Sequence, residues 1–265
     1  MFTDIIKACI MGIVEGVTEF LPVSSTGHLI LAGNILSFTG EKAKVFEIFI
    51  QLGAILAVVW LYRAKLFSVV CGIGKKESNK FTGNILIAFL PAAVIGLLTH
   101  SWIKAYLFNP VTVAAALIAG GFLIIIIEKT VKKPVVAEFE SIPVRSALGV
   151  GLAQVVSLFP GVSRSGATIM GGMAIGLDRK TATEFSFFLA IPTMFTATSY
   201  DLLKNVRYLA MADFYIFAVG FLIAFISALL VIKAFLRFIT RSDFTLFAYY
   251  RIVFGLLVLL LLSVK

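Results

Sequence analysis

The chain has 265 residues, of which 60% are hydrophobic and 14% are charged, and its formal net charge is +9. Soluble globular domains carry about 25% charged residues, so this composition excludes an ordinary water-soluble fold and indicates a surface that mostly contacts lipid. The basic residues lie in short gaps between apolar runs. Basic residues in such gaps orient membrane helices, and their distribution argues against a nucleic-acid partner.

Six apolar runs are long enough to cross about 30 Å of hydrocarbon, and each predicts a transmembrane helix. The runs are 43–62, 81–99, 110–128, 180–202, 213–236 and 246–263. Two more apolar stretches, 4–37 and 143–177, are interrupted by Pro22 to Gly27 and by Pro160 to Gly166. Each of their limbs has about 16 residues, which is too short to cross comfortably, so both stretches are predicted to form re-entrant helical hairpins.

The two halves of the chain also resemble each other. A shift of 139 residues places Ala8, Gly12, Glu15, Ser24 and Gly27 on Ala147, Gly151, Gln154, Ser163 and Gly166. Each unit contains one hairpin and three spans, and because three is odd the second unit enters from the opposite side. The predicted fold is an all-α polytopic membrane protein with six transmembrane helices, two re-entrant hairpins and an inverted-topology repeat. Residues 1–265 would form a single integral membrane domain, with repeats at about 1–128 and 143–265.

Positive charge predicts how this domain is oriented, because cytoplasmic loops carry an excess of lysine and arginine. Three gaps are predicted to be cytoplasmic on this ground, and they hold Arg63, Lys65, Lys75, Lys76 and Lys80, then Lys129, Lys132 and Lys133, and finally Lys233, Arg237 and Arg241. The gaps between them hold only Lys104, or Lys204 with Arg207. These gaps and both termini are therefore predicted to be extracytoplasmic.

Glu15 and Glu19 lie one helical turn apart in an apolar segment. An ionisable group near the bilayer centre costs roughly 2.5 to 3.5 kcal/mol on insertion scales, so such groups usually pair, bind a cation or face a water-filled cavity. Two carboxylates on one face repel unless one is protonated or a cation bridges them. The predicted cofactor is a divalent cation, Mg²⁺ or Ca²⁺, because both prefer oxygen ligands, and Glu15 and Glu19 are the predicted metal ligands.

Hydroxyl residues of the types that cap helices follow each hairpin break. Two helix N-termini that face each other in a cavity favour a phosphate-type anion, and the planar fork of Arg164 can bind two phosphate oxygens. The candidate substrate-binding residues are Ser24, Thr26, Gly27, Ser163, Arg164, Ser165, Gly166 and Thr168. The alternatives are that the hydroxyl groups only bond to backbone carbonyls and that Arg164 is only a counter-ion for the glutamates.

The candidate catalytic residues are Glu15, Glu19, Ser25, His28 and Arg164. His28 can transfer protons or attack phosphorus. Ser25 is the rival nucleophile, with His28 or Glu19 as its base, and a metal-activated water is the third option. The residue types leave all three open. Glu47 and Glu184 are candidates for supporting contacts rather than for ligands.

Two segments, Glu15 to His28 and Phe159 to Thr168, resemble the two signature segments of the bacterial undecaprenyl-diphosphate phosphatase family, also called the bacitracin-resistance protein family. The resemblance extends over essentially the whole chain. It implies an integral inner-membrane enzyme that converts undecaprenyl diphosphate to undecaprenyl phosphate and inorganic phosphate, recycles this carrier lipid for cell-wall synthesis and confers bacitracin resistance.

By the same resemblance, each candidate residue acquires an expected role. Glu15 and Glu19 would hold metal or transfer protons, Ser25 and His28 would carry out the chemistry, and Arg164 would clamp phosphate. The expected partners are a polyprenyl diphosphate lipid and membrane lipids. Catalysis is expected on the extracytoplasmic side, where recycled carrier lipid appears.

A different functional class uses the same architecture. Inverted repeats with helices broken near the midplane occur in secondary transporters, so a lipid-phosphate flippase or transporter that uses the same site is the alternative. An ion relay explains two glutamates, but it does not need a serine and a histidine beside an arginine, which favours the enzyme. A homodimer is compatible with the sequence, although nothing in the sequence argues for one.

Overall fold

The computed structural model describes residues 2–131, 134–205 and 214–263, and most of them are helical. In chain order the helices are α1 (Phe2–Thr18), α2 (Ser25–Ile35), α3 (Glu41–Leu61), α4 (Arg63–Cys71), α5 (Lys76–Tyr106), α6 (Pro110–Thr130), α7 (Val144–Val156), α8 (Arg164–Ala174), α9 (Arg179–Asn205), α10 (Phe214–Ile239) and α11 (Thr245–Ser263). A short 3₁₀ turn, Phe139–Ser141, precedes α7. The protein is an all-α, multi-pass membrane protein, as the sequence predicts.

Five helices are long and apolar enough to cross a membrane, namely α3, α5, α6, α10 and α11. The remaining predicted span, 180–202, corresponds to α9, which has 27 residues but is more polar than these five. Its position explains the difference. Phe185, Ser186 and Phe187 of α9 are completely buried, and α9 contacts α3, α5, α8 and α10. A helix surrounded by other helices exposes little surface to lipid, so it tolerates polar residues that bond inside the bundle.

Two short helix pairs occupy the predicted hairpin regions. The first pair is α1 and α2, and the second is α7 and α8, each separated by a turn. The hairpin limbs have 17, 11, 13 and 11 residues, so all four are shorter than a typical membrane span. Three basic residues used to predict the orientation, Lys132, Lys133 and Arg207, lie outside the described residues, as does the predicted start of the fifth span at 213.

Each hairpin packs against a span from the other half of the chain. Helix α1 packs on α10, and α7 packs on α5. The repeat-related residues Gly12 and Gly151 make both contacts close, because a Cβ atom at Gly12 would lie 2.6 Å from the Gly220 oxygen and one at Gly151 would lie 2.5 Å from the Ala88 oxygen. Glycine at such helix crossings lets two backbones approach. Each half of the chain thus supplies the span that supports the hairpin of the other half.

Phenylalanine side chains fill much of the interior and hold the first hairpin turn in position. Phe20, which directly follows Glu19, is completely buried. Its ring packs edge-to-face on Phe187 of α9, with 5.5 Å between ring centroids. Such aromatic pairs add about 0.5–1.5 kcal/mol beyond the area they bury. The turn that carries Glu19 is therefore anchored to the central helix.

Candidate active site

The two hairpin turns have the same unusual backbone at repeat-related positions. Ser24 and Ser163 have φ values of 70° and 75°, in a region that residues other than glycine rarely adopt. Each serine immediately precedes a helix, α2 or α8. Such conformations cost of order 1–3 kcal/mol each and cluster at functional sites. The turns also contact each other, because the Ser165 hydroxyl donates to the Leu21 carbonyl at 2.7 Å.

Glu19 links the two hairpins through its carboxylate. The Arg164 guanidinium donates from Nη2 to Glu19 Oε1 at 2.9 Å. The hydroxyl of Ser25 donates to the other oxygen, Oε2, in a very short hydrogen bond. Helix α1 ends at Thr18, yet the Glu19 amide still donates to the Glu15 carbonyl at 2.9 Å, so Glu15 and Glu19 remain one turn apart on one side. The structure thus gathers four of the predicted catalytic residues.

Two groups in this cluster are buried without a partner in the described structure. Both carboxylate oxygens of Glu15 lack a hydrogen bond, and so does the Nε–H of Arg164. The Arg164 guanidinium carbon lies 5.5 Å from the centre of the Phe20 ring, and its Nη1 donates to the Ser186 carbonyl at 3.3 Å. Buried polar groups are normally bonded, so an unpaired carboxylate and an unpaired N–H in one cluster indicate a site that a ligand completes.

His28 lies in the same hairpin, but within the described residues it bonds neither to Ser25 nor to Glu19. Its Nδ1 lies 2.7 Å from the Ser24 carbonyl, which can only accept, so Nδ1 carries the proton. Its Nε2 lies 2.6 Å from the Tyr250 hydroxyl and therefore accepts from it when the ring is neutral. The ring stacks on Phe254 at 4.2 Å between centroids. The imidazole is held from α11, so its position depends on the second half of the chain.

The remaining hydroxyl candidates make interior contacts. The Ser163 hydroxyl accepts from the Gly166 amide at 3.1 Å and thereby caps α8. Thr168 donates to the Arg164 carbonyl at 2.9 Å and lies 2.7 Å from the Ser186 hydroxyl. At α2 the side chain of Ser24 makes no such cap, so the first turn of this helix keeps free N–H groups, and Thr26 is half-buried beside them.

Two glycines among the candidates allow close packing. A Cβ atom at Gly27 would lie 3.3 Å from side-chain atoms of Leu117 and Val113 on α6. One at Gly166 would lie 3.1 Å from Nη1 of Arg251. Both glycines therefore let a hairpin turn pack closely against α6 or α11. The sequence predicted them as substrate-binding residues and did not indicate this packing role.

Arg251 of α11 is the main residue that the sequence argument missed. It is 1% exposed, and its guanidinium donates to carbonyls of both hairpin turns, at 3.1 Å to Pro22, 2.9 Å to Val162 and 3.0 Å to Gly161. Two more bonds go to the carbonyls of Leu117 and Ala116 on α6, at 3.3 Å and 3.2 Å. The sequence did carry a signal for such a role. Arg251 is a lone arginine inside the predicted span 246–263, and charged residues within the membrane are expensive and usually functional.

The two supporting glutamates fall in different places. Glu47 of α3 lies within electrostatic range of Glu15, and its Oε1 would lie 3.9 Å from a Cβ atom at Gly33 in α2. Glu184 instead lines a separate cavity of about 370 Å³ with Tyr62 and Lys180. Of the two, only Glu47 belongs to the surroundings of the Glu15 and Glu19 pair.

Comparison with known proteins agrees with the resemblance of the two motifs. A family model described as "Bacitracin resistance protein BacA" matches residues 8–257, which is nearly the whole chain. The chain belongs to the bacitracin resistance protein BacA family. The matched region contains both hairpin turns and every residue of the cluster described above.

Several relatives carry one name, undecaprenyl-diphosphatase. The relative from Nitrosospira multiformis is 57% identical over 257 residues, covering 97% of this chain and 94% of its own length. One from Janthinobacterium sp. (strain Marseille) is 58% identical over 260 residues, with 96% and 94% covered. One from Neisseria gonorrhoeae is 51% identical over 263 residues, with 98% and 96% covered. The chain therefore spans nearly the full length of these relatives.

Proposed function

We propose that this protein hydrolyses undecaprenyl diphosphate to undecaprenyl phosphate and inorganic phosphate, and thereby recycles the carrier lipid for cell-wall synthesis and confers bacitracin resistance. The observation that carries the proposal is the Ser25–Glu19–Arg164 chain of hydrogen bonds. It combines a nucleophile, a base and a cation in a cluster that also holds an unpaired N–H donor. Phosphoryl transfer depends mainly on such positioning and charge stabilisation.

In the proposed first step, Ser25 attacks the terminal phosphorus. Glu19 accepts the hydroxyl proton, an Oγ–P bond forms, and the bond from phosphorus to the bridging oxygen breaks, so that undecaprenyl phosphate leaves. Arg164 presents its unpaired Nε–H to a phosphate oxygen. Water then attacks the phosphorus of the phosphoserine, and the Oγ–P bond breaks. The serine oxygen takes back the proton from Glu19, and inorganic phosphate departs with the two protons of the water. The free N–H groups at the start of α2 offer further phosphate contacts.

Ser25 is favoured over His28 as the nucleophile because of what each side chain bonds. The Ser25 hydroxyl already donates to a carboxylate, which is the arrangement of an activated nucleophile. The proton of His28 is held at Nδ1 by the Ser24 carbonyl, and Nε2 is occupied by Tyr250. We propose that His28 orients the turn and exchanges protons through the Tyr250 hydroxyl.

We propose a divalent cation, Mg²⁺ or Ca²⁺, as the cofactor. Among the described residues no group of three histidine, cysteine or acidic side chains gathers as a metal site, and the two glutamates are the only protein donors in this proposal. The buried, unpaired oxygens of Glu15 fit such an ion, and magnesium commonly takes one or two carboxylates with substrate phosphate oxygens. The ion would neutralise charge on the phosphate groups while Glu15 and Glu19 hold it.

We also propose that the enzyme lies in the bacterial inner membrane with its active site open to the extracytoplasmic side. Support comes from the basic residues Lys65 and Lys80, which lie where α3 ends and α5 begins. The end of the first hairpin that lies away from its turn, where α2 ends, is at the other end of α3, where α3 begins. Native Cys71, exposed near Lys65, tests this orientation. In a Cys9→Ser background, an impermeant thiol reagent should label Cys71 only after spheroplasts are opened, and labelling of intact spheroplasts would reverse the orientation.

The function is tested by phosphate release from a polyprenyl diphosphate by purified protein in detergent, with and without EDTA. We expect turnover that requires a divalent cation and that falls by at least about a hundredfold in Glu19→Gln and in Arg164→Ala. Matched controls are Glu138→Gln and Arg145→Ala, which remove the same groups from exposed positions and should retain turnover.

The transporter alternative predicts a different result. Wild-type protein that is folded but releases no phosphate, while its vesicles move a lipid phosphate or an anion, would overturn the enzyme proposal. The relatives described above support the enzyme, because their shared name is that of a phosphatase. To detect the covalent step, substrate labelled at the terminal phosphate should leave label on wild-type protein after an acid quench and none on Ser25→Ala.

A further inference from the structure

A cavity of about 600 Å³ lies at the predicted cytoplasmic end of the protein, between α4, the start of α5 and the 3₁₀ turn before α7. Its volume is within the range of small-molecule sites. The hydrolysis site does not use it, because the two hairpin turns meet elsewhere in the bundle. The connection that forms it, between α3 and α5, holds α4 and residues 72–75.

The lining of this cavity carries excess positive charge. Four lysines, Lys65, Lys75, Lys76 and Lys80, face two carboxylates, Glu77 and Glu140. Lys65 pairs with Glu140 at 2.5 Å, and Lys80 donates to the Glu140 carbonyl at 2.6 Å. In the described part of the chain, neither Lys75 nor Lys76 has an ion-pair partner. Two ammonium groups are therefore available to an anion.

The start of α5 adds to this potential. Lys76 is the first residue of a 31-residue helix, and the side chain of Lys75, at the N-cap position, makes no capping hydrogen bond. The first N–H groups of a helix lack partners within it, and the helix dipole favours negative charge there. The free lysines and the uncapped helix start thus occur at the same wall of the cavity, where they favour a phosphate group.

Asn84 provides an independent sign of a ligand. It lines the cavity and is 3% exposed. Its Nδ2 donates to the Ile142 carbonyl at 3.0 Å, but its buried Oδ1 accepts no hydrogen bond. A buried acceptor without a donor is costly, and a ligand hydroxyl would satisfy it. The ligand therefore combines an anionic group with a hydroxyl donor.

The neighbouring helix indicates where such a ligand comes from. Helix α4 and the residues after it expose large apolar side chains, with Phe67, Val70 and Ile73 exposed by 70%, 62% and 75%. Arg63, at the start of α4, lies over the ring of Trp60 at 4.7 Å. A short helix with exposed apolar side chains beside basic residues lies in the membrane interface, where tryptophan is also enriched. The cavity is then at headgroup level, beside acyl chains.

We propose that this cavity binds the headgroup of an anionic phospholipid that carries a free hydroxyl, such as phosphatidylglycerol. The phosphate lies against Lys75, Lys76 and the first turn of α5, and a glycerol hydroxyl donates to Asn84 Oδ1. Basic pockets on the cytoplasmic side are suited to anionic lipids, since each nearby lysine strengthens binding. No bond is made or broken, and the site does not depend on the proposed hydrolysis.

Native mass spectrometry of the full chain in neutral detergent tests the site, with phosphatidylglycerol, phosphatidylcholine and phosphatidylmethanol added in turn. We expect wild-type protein to retain phosphatidylglycerol in preference to phosphatidylcholine. Phosphatidylmethanol, which keeps the negative charge but lacks the hydroxyl, should bind several-fold more weakly. The variant Lys75→Gln/Lys76→Gln should lose phosphatidylglycerol affinity on the order of tenfold.

The matched control is Lys129→Gln/Lys233→Gln, which removes two exposed lysines from the same predicted side outside the cavity. It should bind phosphatidylglycerol as wild type does, and unchanged melting temperatures establish that both variants are folded. Equal retention of phosphatidylcholine, an equal loss in both lysine pairs, or binding of inorganic phosphate without phosphatidylglycerol would each overturn the proposal. Equal binding of phosphatidylmethanol would overturn the assigned role of Asn84.

Discussion

Arg164 and Glu19 form an ion pair of 2.9 Å although 145 residues separate them along the chain. Each belongs to a different hairpin, so the pair joins the two hairpins. Both side chains are largely buried, with 11% and 10% of their surfaces exposed. Breaking a buried pair by removing one partner usually costs about 3–5 kcal/mol, because the other charge is left uncompensated. The contact that organises the site is therefore also one on which the fold depends.

This coupling predicts that stability and turnover respond differently to paired changes. Arg164→Ala alone should lower the free energy of unfolding by about 3–5 kcal/mol, since Glu19 stays buried and charged. Adding Glu19→Gln should restore part of that stability because it removes the stranded charge, yet phosphate release should remain absent. Thermal unfolding in detergent and phosphate release measure the two effects. Stability losses that simply add would mean that the two side chains are not coupled.

Glu15→Gln tests whether the unpaired carboxylate is kept for function. A carboxyl group that is buried without a hydrogen bond is expensive, and glutamine keeps its shape but cannot ionise. We expect the melting temperature to rise while turnover falls by at least about a hundredfold, the pattern of a residue that trades stability for activity. The cation concentration needed for half-maximal turnover should rise as well. Glu138→Gln, at an exposed position, is the control and should change none of these quantities.

Local patterns in the sequence predicted most of the helices because a membrane helix is recognisable from the length and apolarity of its sequence. They also predicted both hairpins, since a proline and small residues interrupt each apolar stretch. What they missed depends on which residues meet across the chain. Helix α4 is too short and too charged to stand out from a loop, and the polarity of α9 is tolerated only because α3, α5, α8 and α10 surround it.

The site was predictable to a similar degree. Glu19, Ser25 and Arg164 do meet, which their spacing in two repeat-related turns indicated. The bonding of His28 could not be predicted, because Tyr250 reaches it from a helix 222 residues away. The sequence thus indicated which side chains lie near one another, but not the hydrogen bonds between them.

The contact between Tyr250 and His28 leads to a third prediction. Tyr250→Phe removes the hydroxyl that donates to Nε2 while keeping the ring that stacks near Phe254. A lost hydrogen bond of this kind is worth about 1 kcal/mol, so turnover should fall roughly fivefold to tenfold with little loss of stability. Tyr249→Phe is the matched control, because Tyr249 is the adjacent residue and is 60% exposed. Equal turnover in the two variants would show that His28 does not act through Tyr250.

Arg251 is expected to matter for both stability and turnover. Its guanidinium serves five backbone carbonyls in three segments, and a lysine ammonium has only three donors at a single point. Arg251→Lys should therefore destabilise the protein by about 2–4 kcal/mol, since at least two buried carbonyls lose their donors. Turnover should fall with it because both hairpin turns are released. Arg237→Lys, at an exposed position of α10, should have neither effect.

Gly120→Ala, which adds a single methyl group, provides the most selective test of the hydrogen bonds that Arg251 makes. A Cβ atom there would lie 2.7 Å from the guanidinium carbon of Arg251, which is too close for any real contact, and five carbonyl bonds hold the guanidinium in place. Gly83 is also inside a helix, but a Cβ atom there meets nothing within 4 Å. Exchanging glycine for alanine in a helix interior normally stabilises by up to about 1 kcal/mol. We therefore expect Gly83→Ala to keep turnover and raise the melting temperature, whereas Gly120→Ala lowers both. Retained turnover in Gly120→Ala would mean that the hairpin turns keep their positions without Arg251.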